Sequence, residues 1–186
     1  MFKVALNMMS ALAALILTAP HAPAQPAAVN IVAIGASNTW GWGVVGRNAY
    51  PERLENLLKA EGYDARVVNA GVILDTTAGM LNRVDAAAPA GTHIVILQPG
   101  GNDTRFFGSK EQRAANVEAI VQRLRARDIA VIVYDPVFPP EAYQWDRIHL
   151  TAEAHARIAS ELLPQVAETI KPKEKKAQEV PRPKRR

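Results

Sequence analysis

Ser37 sits in Gly35-Ala36-Ser37-Asn38, between small neighbours. A nucleophilic serine needs an exposed hydroxyl, room for an acyl group and backbone N–H donors close by, and small flanking residues serve all three. A serine hydroxyl is a weak nucleophile until a base takes its proton. Asp146-Arg147-Ile148-His149 offers that base together with a carboxylate to orient it. An imidazole, with a reference pKa of about 6.5, can accept a proton near neutral pH. The carboxylate would hold the ring in one tautomer and stabilise the imidazolium. Asn102, after Gly100 and Gly101, supplies a neutral amide donor suited to an oxyanion, and the Gly71 backbone N–H is a second candidate. Taken one at a time, each of these segments also reads as an ordinary turn.

What joins them is the pattern of elements. Short apolar runs at Asn30–Gly35, Ala65–Asn69, His93–Leu97 and Ile129–Tyr134 predict strands buried in a sheet. Helical spacing of apolar residues predicts helices over Ala49–Glu61, Thr77–Ala87, Lys110–Arg127 and Thr151–Ile170, the last capped by Thr151. On the third of these the inward stripe reads Ala114, Val117, Ile120, Val121 and Leu124. Alternating strands and helices predict an α/β fold, a three-layer α/β/α sandwich around a parallel sheet. Ligands bind such sheets beyond the carboxyl ends of the strands. Ser37, Gly71, Asn102 and the Asp146/His149 pair each follow a different predicted strand, so all arrive at one rim. His93, in contrast, opens a strand at the other edge, and His155 lies inside the last helix, where a packing or surface role is expected.

The four motifs together resemble those of the SGNH (GDSL-like) esterases and lipases. The matching blocks are Gly35-Ala36-Ser37-Asn38, then Asn69-Ala70-Gly71 leading to Asp75-Thr76-Thr77, then Gly100-Gly101-Asn102-Asp103, and Asp146-Arg147-Ile148-His149. The second block looks like that of the periplasmic thioesterase and lysophospholipase-like branch. The resemblance runs from about Asn30 to Ile170. It implies Ser37 as nucleophile, His149 as base and Asp146 as its orienting acid. It also implies an oxyanion hole of Ser37 N–H, Gly71 N–H and the Asn102 side chain, a flavodoxin-like strand order, and no metal or cofactor. Two departures stand out. Ala36 replaces the family's usual Asp, and only about ten residues separate the fourth strand from Asp146, so a fifth strand common in relatives is expected to be missing.

The expected function is hydrolysis of carboxylic esters or thioesters through an acyl-Ser37 intermediate, on a small-molecule or lipid substrate. A carbohydrate or cell-wall O-acetylesterase is the alternative within the class, and a non-catalytic binding protein on the same fold is the alternative outside it. Trp40, Trp42 and Phe106 are candidates to line a substrate groove, although the two tryptophans could equally pack on the first helix. Asp103 is expected to brace its loop, and Arg105 to be available to an anionic group.

The two ends of the chain carry separate signals. Lys3, the apolar run 4–18 and Ala22-Pro23-Ala24 have the layout of a secretory signal peptide cleaved after Ala24. That would place the domain, residues 25–170, in the periplasm or outside the cell. The net charge of +4 is a property of the tail: residues 171–186 hold eight Lys or Arg and two Glu, and the remaining 170 residues sum to −2. With three prolines, that tail is expected to be disordered, serving either as a solvating segment or as an adhesive for an acidic surface. Nucleic acid is not an expected partner of an exported protein. The chain has no cysteine, which excludes disulfides, thiolate metal sites and a lipoprotein anchor.

Overall fold

The computed structural model describes residues 28–44 and 48–179. The expected signal peptide and its cleavage site lie outside the described residues, as does the tail's end, 180–186.

Four parallel strands, β1 (Val29–Gly35), β2 (Ala65–Gly71), β3 (Ile94–Gln98) and β4 (Ala130–Val133), pair in the order β2-β1-β3-β4. This is the start of the expected flavodoxin-like order, and no fifth strand follows among the described residues. Successive side chains of a strand point to opposite faces, and the sheet shows this directly. Ile31, Ala33, Ile94 and Ile96 face one core, closed by α2 (Tyr50–Ala60) and α5 (Ala152–Glu179). Val32, Ile34, Val95 and Leu97 face the other, closed by α3 (Thr77–Ala87) and α4 (Lys110–Arg125). The three-layer sandwich is therefore as expected. A short helix, α1 (Ser37–Trp40), follows β1.

Three helices start at a side-chain cap, and Thr151 is the one expected from the sequence. Thr76, Ser109 and Thr151 each accept, through the side-chain oxygen, an N–H from the first turn of α3, α4 and α5. Helix α5 continues nine residues beyond the expected end at Ile170, through Glu179. On α4 the expected stripe is modified. Ala114 is exposed, and Asn116 is buried instead because its amide donates to Thr77 Oγ1 at 3.0 Å. His155 is wholly buried: its Nδ1 accepts the Tyr50 N–H at 3.2 Å and its ring stacks on Tyr50. Nε2 then carries the hydrogen, and it has no partner among the described residues.

Two outward N–H groups of β2 are taken by side chains. Glu55, on α2, accepts the outward N–H of Val67 at 2.7 Å, and Asn69 Oδ1 accepts that of Gly71 at 3.0 Å.

Candidate active site

The strand order reverses between β1 and β3, which opens a crevice at their carboxyl ends. Ser37 leaves β1 there and Asn102 follows β3. A Cβ on Gly35 would collide with Thr39 Oγ1, so only glycine lets β1 turn straight into α1. Thr39 is in turn fixed by donating to Gln98 Oε1 at 2.7 Å. Ala36 is buried in the core against α3 and α4, and gives the turn no polar anchor. Arg83 supplies one: it donates to the Gly35 carbonyl at 3.1 Å while paired with Asp75 at 2.8 Å.

Ser37 Oγ lies 3.0 Å from His149 Nε2, and His149 Nδ1 lies 2.6 Å from Asp146 Oδ2. The other Asp146 oxygen accepts the N–H groups of Ile148 at 2.9 Å and His149 at 3.0 Å. Arg147 takes the left-handed conformation, φ 56°, that closes this tight turn. Partial burial pushes the Asp146 carboxyl upward. The backbone N–H and ring of His149 and the N–H of Ile148 outweigh it and hold the group at about 2. The aspartate is thus an anion at any ordinary pH, which the orienting role expected of it requires. Trp42 packs its ring against His149, with centroids 5.5 Å apart.

Two positioning residues escaped the reading of the sequence. Asn38 Nδ2 donates to the Ile148 carbonyl at 3.2 Å, and Asn38 Oδ1 accepts the Leu150 N–H at 2.9 Å. Gln144 takes the remaining backbone of the loop: its N–H donates to the His149 carbonyl at 2.7 Å and its amide to the carbonyls of Leu150 and Trp42. Asn38 stood in the quoted serine motif with no role given to it. Nothing in the local sequence singles out Gln144.

The oxyanion donors need one correction. Asn102 is buried beside Ser37, and one amide hydrogen goes to the Asp75 carbonyl at 2.8 Å, leaving the second for a ligand. The Ser37 N–H, in the first turn of α1, has no acceptor among the described residues. Gly71 does not join them. Its N–H is taken by Asn69, and a Cβ there would collide with the Trp40 backbone. It is a glycine so that α1 can lie close on β2, and close packing looks the same in sequence as a donor role. Further along the same loop Leu74 is left-handed, φ 61°, and exposed, with no acceptor for its N–H among the described residues.

Asp103 does brace its loop: its buried carboxylate accepts both the N–H and the hydroxyl of Thr77. A cleft of about 260 Å³ opens beside Ser37, lined by Asn102, Arg105, Val137, Phe138 and Tyr143 among others. Trp40, Trp42 and Phe106 are not in its wall, contrary to expectation. They stand outside it, Trp40 against Trp42 and Phe106 against Phe107. A larger, open groove between β4 and α5, at Val133, Gln165 and Thr169, holds none of the site residues.

A parallel α/β/α sandwich with Ser, His and Asp hydrogen-bonded in series at its carboxyl rim has the build of a serine hydrolase. The chain belongs to the GDSL-like lipase/acylhydrolase family, whose model matches residues 33–171. It is 32% identical over 117 residues to esterase TesA of Pseudomonas aeruginosa, a match covering 62% of this chain and 58% of TesA. The chain thus spans a little over half the length of that relative. A crystal structure of TesA superposes with a TM-score of 0.65 at 26% identity, covering 77% of this chain and 98% of that one. The psychrotrophic esterase EstA from Pseudoalteromonas sp. shares the fold, with a TM-score of 0.65 at 19% identity, over 76% of this chain and 98% of its own.

Proposed function

We propose that the protein hydrolyses carboxylic esters or thioesters through an acyl-Ser37 intermediate. The observation that carries this reading is the unbroken series Ser37–His149–Asp146, at 3.0 and 2.6 Å. Ser37 Oγ attacks the carbonyl carbon as its proton passes to His149 Nε2, while Asp146 holds the Nδ1 hydrogen. The carbonyl oxygen becomes an oxyanion and is received by the Ser37 N–H and the free Asn102 amide hydrogen. Collapse expels the alcohol or thiol, which takes the proton from His149. Water then enters, gives a proton to His149 and attacks the acyl group, and the acid leaves as Ser37 recovers its hydrogen. Export, with cleavage after Ala24, would place this reaction outside the cytoplasm.

A fluorophosphonate probe tests the reading. The folded protein should be labelled at Ser37, and Ser37→Ala should not be. Failure of the folded wild type to react would overturn it.

A further inference from the structure

The exposed large apolar side chains are unevenly distributed. Among the described residues, all but Val68 and Val133 lie on the segments that follow the carboxyl ends of the strands, around Ser37. The connections at the opposite edge, 61–64, 88–93 and 126–129, carry none. Scattered apolar exposure is ordinary on a soluble protein, but a contiguous apolar patch marks a contact surface. The segments on this rim carry every tryptophan of the chain: Trp40 is 50% exposed, Trp42 43% and Trp145 93%. Phe106 and Phe107, on the β3–α4 connection of the same rim, are exposed at 53% and 62% and pack on each other.

Three observations say what this rim meets. Trp40, Trp42, Trp145 and Phe107 lie outside the wall of the cleft beside Ser37, so they do not serve to enclose a single substrate molecule. Tryptophan, with an apolar body and a polar N–H, is the side chain that accumulates where hydrocarbon meets water. The charges also fit. Arg105 and Arg147 are exposed on the same loops and pair with no carboxylate among the described residues, and Arg105 lies 5.8 Å over the Phe106 ring. Three carboxylates of these segments are already engaged, Asp75 by Arg83, Asp135 by Arg113 and Asp146 by His149, while Glu141 on the β4–α5 connection is exposed and joins no ion pair among the described residues.

We propose that this rim docks on a phospholipid surface. The aromatic side chains enter the headgroup layer, Arg105 and Arg147 meet headgroup phosphates, and Ser37 takes its ester from that surface. The docking is peripheral, since no helix of the described residues is long and apolar enough to cross a membrane. The inference rests on the ester-hydrolase reading for its substrate but not for its contact.

The test uses the full chain with vesicles of phosphatidylglycerol or phosphatidylcholine, followed by flotation and by tryptophan emission. The wild type should float with phosphatidylglycerol vesicles and its emission should shift to the blue. Phe107→Ser with Trp145→Ser should weaken binding roughly tenfold or more. The same variant should turn over a monomeric p-nitrophenyl butyrate solution as the wild type does. Arg105→Gln with Arg147→Gln should lower the preference for the anionic vesicle below that of the wild type, the basic tail being the same in both proteins. Wild-type protein that ignores both vesicles, or a Phe107/Trp145 variant that binds as well as wild type, would overturn the proposal. So would a concentration-dependent dimer, without vesicle binding, that the same variant abolishes, because the rim would then cover a second copy. Vesicle binding without any ester turnover would keep the docking and remove the hydrolase reading alone.

Discussion

Asn38 holds the loop on both sides of His149, donating to the carbonyl before it and accepting the N–H after it. Because Asn38 is the neighbour of Ser37, one turn of helix both presents the hydroxyl and fixes its distance to the His149 ring.

Removing that clamp should loosen the imidazole without touching any reacting atom. Asn38→Ala is expected to lower kcat roughly 100-fold with little change in KM, the cost of about an ångström of misplacement. Asn38→Asp keeps the acceptor for Leu150 and loses the donor to Ile148, so it should recover part of the loss. Steady-state kinetics on a soluble p-nitrophenyl ester measures both. Equal activity in all three proteins would deny Asn38 its positioning role.

Asp146 should not set the acid limb of the pH profile. Its carboxyl is held at about 2, below its ordinary value of 3.8. A depressed carboxyl contributes stability in full above the unfolded value and loses it as pH falls through the folded one. Between pH 4 and 8 Asp146 is therefore ionised throughout, and a loss of rate in that range is not its protonation. Asp146→Asn, which permits the wrong tautomer, should lower kcat by roughly 10³- to 10⁴-fold across the whole range. A variant that matched wild type above pH 7 would contradict this.

His155 should make the fold acid-sensitive. Burial, with Arg53 nearby, lowers its pKa from 6.5 to about 4. As pH falls through 6.5 the unfolded chain gains a proton that the folded chain refuses, so stability declines until about pH 4 and levels off there. The decline from pH 6.5 to 5 corresponds to about 2 kcal/mol from this one group. Urea unfolding at pH 7 and pH 5 should show that difference in the wild type and a smaller one in His155→Gln. The same difference in both proteins would assign the acid sensitivity elsewhere.

The two backbone positions of the β2–α3 connection should respond oppositely to substitution. Gly71→Ala places a Cβ against the Trp40 backbone, which cannot give way as a side-chain tip can, and should cost about 1–3 kcal/mol. Leu74→Gly relieves a left-handed leucine and should stabilise by up to about 1 kcal/mol. Thermal melts of the two variants check both signs.

The sheet was legible because strands buried on both faces read as unbroken apolar runs, and the cap of α5 because Thr151 precedes helical spacing. Ser37 and Asn102 were legible for the same reason, since polar residues directly after such runs have one rim to occupy, and His149 was legible from its three-residue spacing to Asp146. Gly71 was misassigned because a glycine's sequence is silent on which of its atoms matters. Asn38 and Gln144 act through backbone groups of another segment, and no residue type at those groups betrays them. Asn116 is buried through one hydrogen bond to Thr77, 39 positions away, which helical spacing cannot register.

An open sheet has two edges at which a foreign strand could add, and crowding makes such additions costly to a cell. On β2 the outward N–H groups of Val67 and Gly71 are already spent on Glu55 and Asn69. An incoming strand would have to displace a carboxylate and an amide to use these two N–H groups. The other edge, β4, is only four residues long, a brief template for a growing aggregate. The residue pair that takes these N–H groups thus protects the folded chain from its own kind, and Glu55→Ala should be recognised first by precipitation on storage.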